Sequence, residues 1–209
     1  FSIAGTLENF TTGTNDTDAM VYTIASNKVN AIRYMSAQRS LIVGTVGGEF
    51  VVSASGTTQP ITPTNVQIQK QSSYGAANID AVQIENVTMF VQRAKRKIRE
   101  LTYNQGIDQY QATDMTLLAE HITEGGIVEM AYQQEPDSVL WVVRGDGTML
   151  GFTYARSENV IGWHRHILGG AFGSGQAVIE SVATIPTDSN EDELWMIVKR
   201  TINGATRRY

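Results

Sequence analysis

Hydrophobic and polar residues alternate along most of this chain in short runs, and the runs recur as a set. The first set reads VNAIRYM from Val29, LIVGT from Leu41, EFVVSAS after Gly47-Gly48, and then NVQIQKQSS. The second reads IDAVQIE, VTMFVQR and KIRELTY. The third reads IVEMAYQQ, SVLWVVR, TMLGFTYA and VIGWHRHI, and the fourth IESVATIP, ELWMIVKR and ATRRY. Period-two alternation over about four to eight residues is the pattern of a strand with one buried face. Turn residues separate the runs: Gly145-Asp146-Gly147 and Asn203-Gly204 accept the positive φ angles that tight hairpins require.

The four sets begin at Val29, Ile79, Ile127 and Ile179, spacings of 50, 48 and 52 residues. They predict repeats near 29–78, 79–126, 127–178 and 179–209 within one domain covering 1–209. A repeat of roughly 40 to 50 residues made only of strands is the signature of a β-propeller blade. One such sheet cannot bury both faces alone, so each must stack on its neighbours. The expected fold is therefore all-β, a β-propeller with about four visible blades. A β-sandwich of unrelated hairpins is the competing arrangement. One short inserted helix is expected in TDMTLLAEHITEGG, where Leu117, Leu118 and Ile122 lie between a Thr113-Asp114 start and a Gly125-Gly126 stop.

Before the first set, FSIAG and MVYTIAS flank a polar stretch from Thr11 to Asp18 and read as two further strands. They are expected to be the third and fourth strands of a blade whose first half lies outside this sequence. The fourth set stops at its third strand. A piece of a larger propeller is the favoured reading, with strand-closed ring geometry as the alternative.

Bulk composition fits this picture. Nineteen glycines against four prolines suit a sheet protein with many tight turns. The absence of cysteine excludes disulfides and thiolate metal sites. No run approaches the roughly 18 apolar residues of a membrane-spanning helix. A net charge of −5 argues against a general nucleic-acid binder, which usually presents a basic face.

Two local clusters carry candidate chemistry. Arg93, Lys95, Arg96, Lys97 and Arg99 crowd one expected hairpin tip, where they would meet phosphate oxygens or a partner. No aromatic is interleaved, so base stacking is not indicated; a solvated turn with ion pairs is the plainer reading. In Trp163-His164-Arg165-His166 the two imidazoles share a strand face, as two ligands of a divalent metal would. A third ligand is missing locally, and Glu158 or His121 would have to be brought in by the fold. Trp163, His164 and His166 are otherwise candidates for glycan or partner contact, or simply polar aromatic packing at a blade edge. Carboxylates around Glu120, Glu124, Glu129 and Glu135, and from Asp188 to Glu193, form no spacing that predicts a catalytic pair. No catalytic, cofactor-binding or metal residue is assigned.

Several longer strings, taken together, carry a resemblance. ITPTNVQIQKQSSYG, FVQRAKRKIREL, LAEHIT, QQEPDSVLWVVRGDGTMLGFTY, GWHRH and DELWMIVKRTINGATRRY resemble the large tail proteins of tailed bacteriophages and prophages. They are similar to the tubular nozzle or hub components of short-tailed phages, over residues from about Asn27 to Tyr209. The resemblance implies a propeller-like domain in a homo-oligomeric ring of the virion tail, assembled in the bacterial host cytoplasm. It further implies other tail proteins as partners, no enzymatic activity, and passage of DNA without specific binding. A conduit suits that passage when few Lys or Arg side chains neutralise phosphates along it. A propeller that binds or cleaves a host-surface glycan is the alternative function.

Overall fold

The computed structural model describes residues 1–24, 31–56, 59–188 and 190–209. Its strands are β1 (Ile32–Ala37), β2 (Leu41–Thr45), β3 (Gly48–Ala54), β4 (Val66–Ser72), β5 (Val82–Ile84), β6 (Val87–Val91), β7 (Ile98–Asn104) and β8 (Gln109–Asp114). There follow β9 (Ile127–Gln133), β10 (Val139–Arg144), β11 (Met149–Ala155), β12 (Val160–His166), β13 (Ala171–Phe172), β14 (Gly175–Gln176), β15 (Val178–Pro186), β16 (Asp192–Ile202) and β17 (Ala205–Arg208). They form antiparallel meanders in chain order: β1 to β4, β5 to β8, β9 to β12, and the three-stranded β15 to β17, with β13–β14 as a separate hairpin. Val29 and Asn30, the expected start of the first set, lie outside the described residues.

Burial explains why these runs become strands. All five residues of β6, VTMFV, are buried, because its sheet is covered on both faces. In β10, Leu140 and Val142 face the second sheet while Val143 and Trp141 face the fourth. By contrast β16 alternates exposed and half-buried residues from Glu193 to Ile197, as a strand covered on one side does. Three apolar clusters join consecutive sheets. Tyr34, Ile42 and Val51 meet Phe90 and Leu101; Ile84, Met89 and Ile98 meet Leu140, Leu150 and Phe152; Val143 and Met149 meet Ile179, Val182 and Val198. The leading strands of successive sheets touch, β5 with β9 and β9 with β15. Among the described residues no core cluster joins the first sheet to the fourth.

The expected hairpin turns form. Gly147 has a φ of 81° and its carbonyl accepts from Ile179 N at 3.0 Å, which ties the β10–β11 turn to β15. A side chain at Gly147 would run into Val178, so glycine is required twice over. Asn203 and Gly204 both have positive φ, as the primed turn before β17 demands.

Three expectations need correction. The inserted helix is a single 3-10 turn, Leu117–Ala119. Thr113 and Asp114 continue β8, and the Asp114 carboxylate accepts from Thr116 N and Oγ1 at 2.9 and 2.6 Å, closing a turn instead of capping a helix. Leu117 and Leu118 are 63% and 99% exposed, so the apolar spacing never meets a core, and only Met115 and Ile122 pack inward. FSIAG is not a strand either: it reverses at Gly5, φ 80°, and Ile3 N donates to Asn9 O at 2.8 Å. The described part of MVYTIAS, residues 20–24, also lacks strand structure, and residues 25 and 26 lie outside the described set. Instead Met20 and Tyr22 line one apolar hollow with Val43, Val52 and Ile68 on the outer face of the first sheet. Finally, QYQATD forms β8, a strand the sequence reading did not place, and β13–β14 is an unforeseen hairpin.

Candidate functional site

A polar cleft opens between the outer strands of the first two sheets. In β4, Gln67, Gln69 and Gln71 fall at every second position and share one face, toward the second sheet. Val66 and Ile68 take the opposite face, beneath the N-terminal segment. Across the cleft Tyr103 of β7 pairs with Tyr110 of β8, their rings edge to face at 5.4 Å. Arg39 from the β1–β2 turn and Asp108 from the β7–β8 turn close the rim, leaving about 290 Å3. That volume sits at the small end of ligand-binding pockets, about 300 Å3 and upward. Shallower hollows continue it on either side, toward Gln109 and Gln111 and toward Gln38 and Gln83.

Its polar groups are partly committed. Gln71 Oε1 accepts from Tyr110 N at 2.9 Å, fixing one amide. The Tyr103 hydroxyl donates to Asp108, and the Arg39 guanidinium lies 5.3 Å from the Tyr103 ring centre. The bond to Asp108 holds the Tyr103 hydroxyl above the ordinary phenol range, and burial does the same for Tyr110. Both therefore stay protonated at neutral pH and remain donors. Gln67 and Gln69 are exposed, and their side chains make no hydrogen bond among the described residues.

Behind the cleft sits a carboxylate with no exposed surface, Glu49 of β3. It accepts from the Ser72 hydroxyl, and burial pushes its pKa up despite the nearby Arg99. Backbone N–H groups of Glu49 and Gly75 also favour the charged form, and among the described residues the buried Tyr34 hydroxyl has no hydrogen-bond partner.

The five basic residues nominated from sequence do not act as one patch. Arg99 is buried: its Nε donates to Gln92 at 2.8 Å, its Nη1 to Ala112 O at 2.7 Å, and its guanidinium lies 3.3 Å from the centre of the Tyr74 ring. Lys97 pairs with Asp114 at 2.7 Å and Glu120 at 3.1 Å, and Arg96 donates to Glu120 O at 3.0 Å. The tip thus clamps the 115–124 loop, and Ile127 N bonded to Lys95 O at 2.8 Å carries the clamp into β9. Only the side chains of Arg93 and Lys95 remain uncommitted among the described residues.

The imidazole strand is similarly built into the sheet. Trp163 faces the second sheet, half-buried, stacked on Phe152 at 4.6 Å and donating to Met115 O at 2.9 Å. His164 and His166 point the other way and bond to each other, Nδ1 to Nε2, at 2.7 Å. The His164 ring lies on Gly151, whose missing side chain makes room for it, beside Trp141. Burial and the neighbouring His166 lower the His164 pKa. Neither Glu158 nor His121 joins them: among the described residues no three His, Cys, Asp or Glu side chains cluster as metal ligands.

The carboxylates also serve the scaffold. Glu129 accepts from Ser181 Oγ at 3.0 Å and Val182 N at 3.2 Å across the third and fourth sheets, and Asp192 accepts from Gln134 N at 2.7 Å. The sequence reading passed over the glutamine row and both cleft tyrosines. The signal was present in NVQIQKQ, where one residue type repeats strictly every second position. No protein-family model matches the chain, and no curated protein matches it significantly.

Proposed function

We propose that this chain is a non-enzymatic, β-propeller-type building block of a ring in a bacteriophage tail, with its sheets as successive blades. One observation carries this reading: the fourth sheet turns an apolar face outward. In the fourth sheet Trp195, 59% exposed, Ile197 and Ile185 stand outward on the face opposite Val182 and Val198. This face has the chemistry of the covered interfaces inside the series, so an adjoining sheet is its natural cover. Contact between leading strands of successive sheets agrees with radial blades around an axis. The tail assignment itself rests on the resemblance of the strings quoted above. DNA would pass such a ring without being bound, and neighbouring tail proteins would hold the outer surfaces.

Electron microscopy of the protein in its native assembly, with antibody raised against residues 1–209, tests the proposal. Rings with an axial hole and label on virion tails are expected, and Trp195→Asp should reduce ring formation. A strictly monomeric protein that never labels particles would overturn it.

A further inference from the structure

We infer that the cleft between the first and second sheets is a binding site for a neutral, hydroxyl-rich glycan. The argument begins with what that surface forgoes. The inner part of the same interface is closed by Ile42, Val51, Phe90 and Leu101, yet one strand outward, where Gln69 pairs with Val51, the sheet presents amides. Exposed glutamines on alternate positions contribute no packing there, and two of the three satisfy no protein group. Each amide offers two N–H donors and a carbonyl acceptor in one plane. A sugar with adjacent hydroxyls, each both donor and acceptor, complements that set. Gln67 to Gln71 spans roughly 13 Å along the strand, longer than a single small ligand needs.

The opposite wall supplies the second half of such a site. Half-buried Tyr103 presents apolar ring surface for the C–H face of a sugar, braced from behind by buried Tyr110, while its hydroxyl is held by Asp108. Charge selects the class. Arg39 and Asp108 on the rim oppose each other, so the cleft has no net attraction for phosphate, sulfate or sialic acid. Nor is there an apolar hole to anchor a peptide side chain; Val51 and Ile61 are the only aliphatic residues larger than alanine along the lining described. Hollows on both sides leave the chain of a longer glycan free to run through. This site does not depend on ring formation: a ring that ignores sugars would refute only the glycan site, and a sugar-binding monomer only the ring.

Two-dimensional NMR of the 209-residue protein, titrated with cellotetraose, maltotetraose, chitotetraose and sialyllactose, tests it. Saturable shifts at Gln67, Gln69, Gln71, Tyr103 and Tyr110 are expected with at least one neutral tetrasaccharide. Gln69→Ala should weaken that binding about tenfold, the scale of one hydrogen-bonding side chain lost, with thermal stability unchanged; Trp195→Ala should leave it intact. Tyr103→Ala should abolish it, and the Gln67→Ala/Gln69→Ala double variant provides the same readout should Tyr103→Ala unfold. No saturable shift with any neutral sugar, binding confined to sialyllactose, or affinity unaffected by the glutamine substitutions would each overturn the assignment.

Discussion

The two interfaces flanking the second sheet are made from the same kind of meander, yet one is sealed by polar groups paired with each other and the other carries a cleft lined by unpaired amides. Toward the third sheet, apolar packing from Ile84 to Phe152 continues outward into polar groups that seal the edge. There Glu100, 2% exposed, accepts from the Tyr154 hydroxyl at 2.9 Å and from Arg156, and Trp163 caps the cluster. Toward the first sheet, packing runs from Val51 and Leu101 out to Tyr110 and Tyr103, and there the tyrosines meet amides across a cleft. The difference teaches that polar residues between sheets can act in two ways. Paired with each other they fasten the sheets; unpaired and exposed they keep a surface open at little energetic cost.

The largest expected effect comes from the closed side. Phe152→Ala removes a fully buried ring and should cost about 3–5 kcal/mol. Urea denaturation measures this directly, and a loss below about 1 kcal/mol would mean the second and third sheets are not packed as described. Tyr154→Phe comes next. It deletes a hydrogen bond to a buried carboxylate and should cost about 1.5–3 kcal/mol. Burial and the Glu100 bond push the Tyr154 hydroxyl up to about 12. A raised folded-state pKa gives stability that is complete below the unfolded value, near 10, and is lost as pH rises through the folded one. The gap between wild type and Tyr154→Phe should thus be constant up to about pH 10 and narrow toward pH 12. A gap independent of pH across that window would remove the hydrogen bond from the account.

The open side responds with opposite sign. Burial raises the pKa of Glu49, so its contribution is favourable while protonated and declines as pH rises above the unfolded value, about 4.3. Glu49→Gln fixes a neutral group of the same shape. It should gain stability at pH 7, on the order of 1 kcal/mol, and lose that advantage below about pH 4. Thermal denaturation at both pH values checks the pair of outcomes; a destabilised variant at pH 7 would show that Arg99 and Ser72 hold the carboxylate ionised instead.

Much of this architecture was legible in residue order. Period-two alternation located β9, β10, β11 and β12, and Asp146-Gly147 and Asn203-Gly204 marked the β10–β11 and β16–β17 turns correctly, because steric demands at a tight turn are local. Local rules failed where apolar residues lacked a surface to meet. Leu117 and Leu118 have helical spacing but face solvent, and Asp114 closes a turn inside what looked like a helix start. FSIAG alternates like a strand but has no partner edge, so Gly5 folds it back. Charge clustering was equally misleading. Residues 93–99 run from a turn into a strand, so Arg99, within β7, is buried while Lys97, just before it, stays at the surface and reaches Asp114. The cleft needed two sheets to be seen together, and only its glutamine half was visible in one string.

The smallest expected effects separate an open cleft from a loosely packed one. Gln71 holds Tyr110 N, a backbone group in the partly buried wall, so Gln71→Ala leaves that donor without its partner and should cost about 1 kcal/mol. Gln67 and Gln69 sit on the same strand face, are exposed, and make no such bond. Their alanine variants should stay within about 0.5 kcal/mol of wild type. The three substitutions are alike in chemistry and strand position, so differential scanning calorimetry compares them without further correction. Equal losses at all three would mean the row stabilises the sheet pair collectively and the cleft is a packing defect. A loss confined to Gln71 would leave Gln67 and Gln69 as side chains that the fold itself does not need, which is the condition a recognition surface must meet.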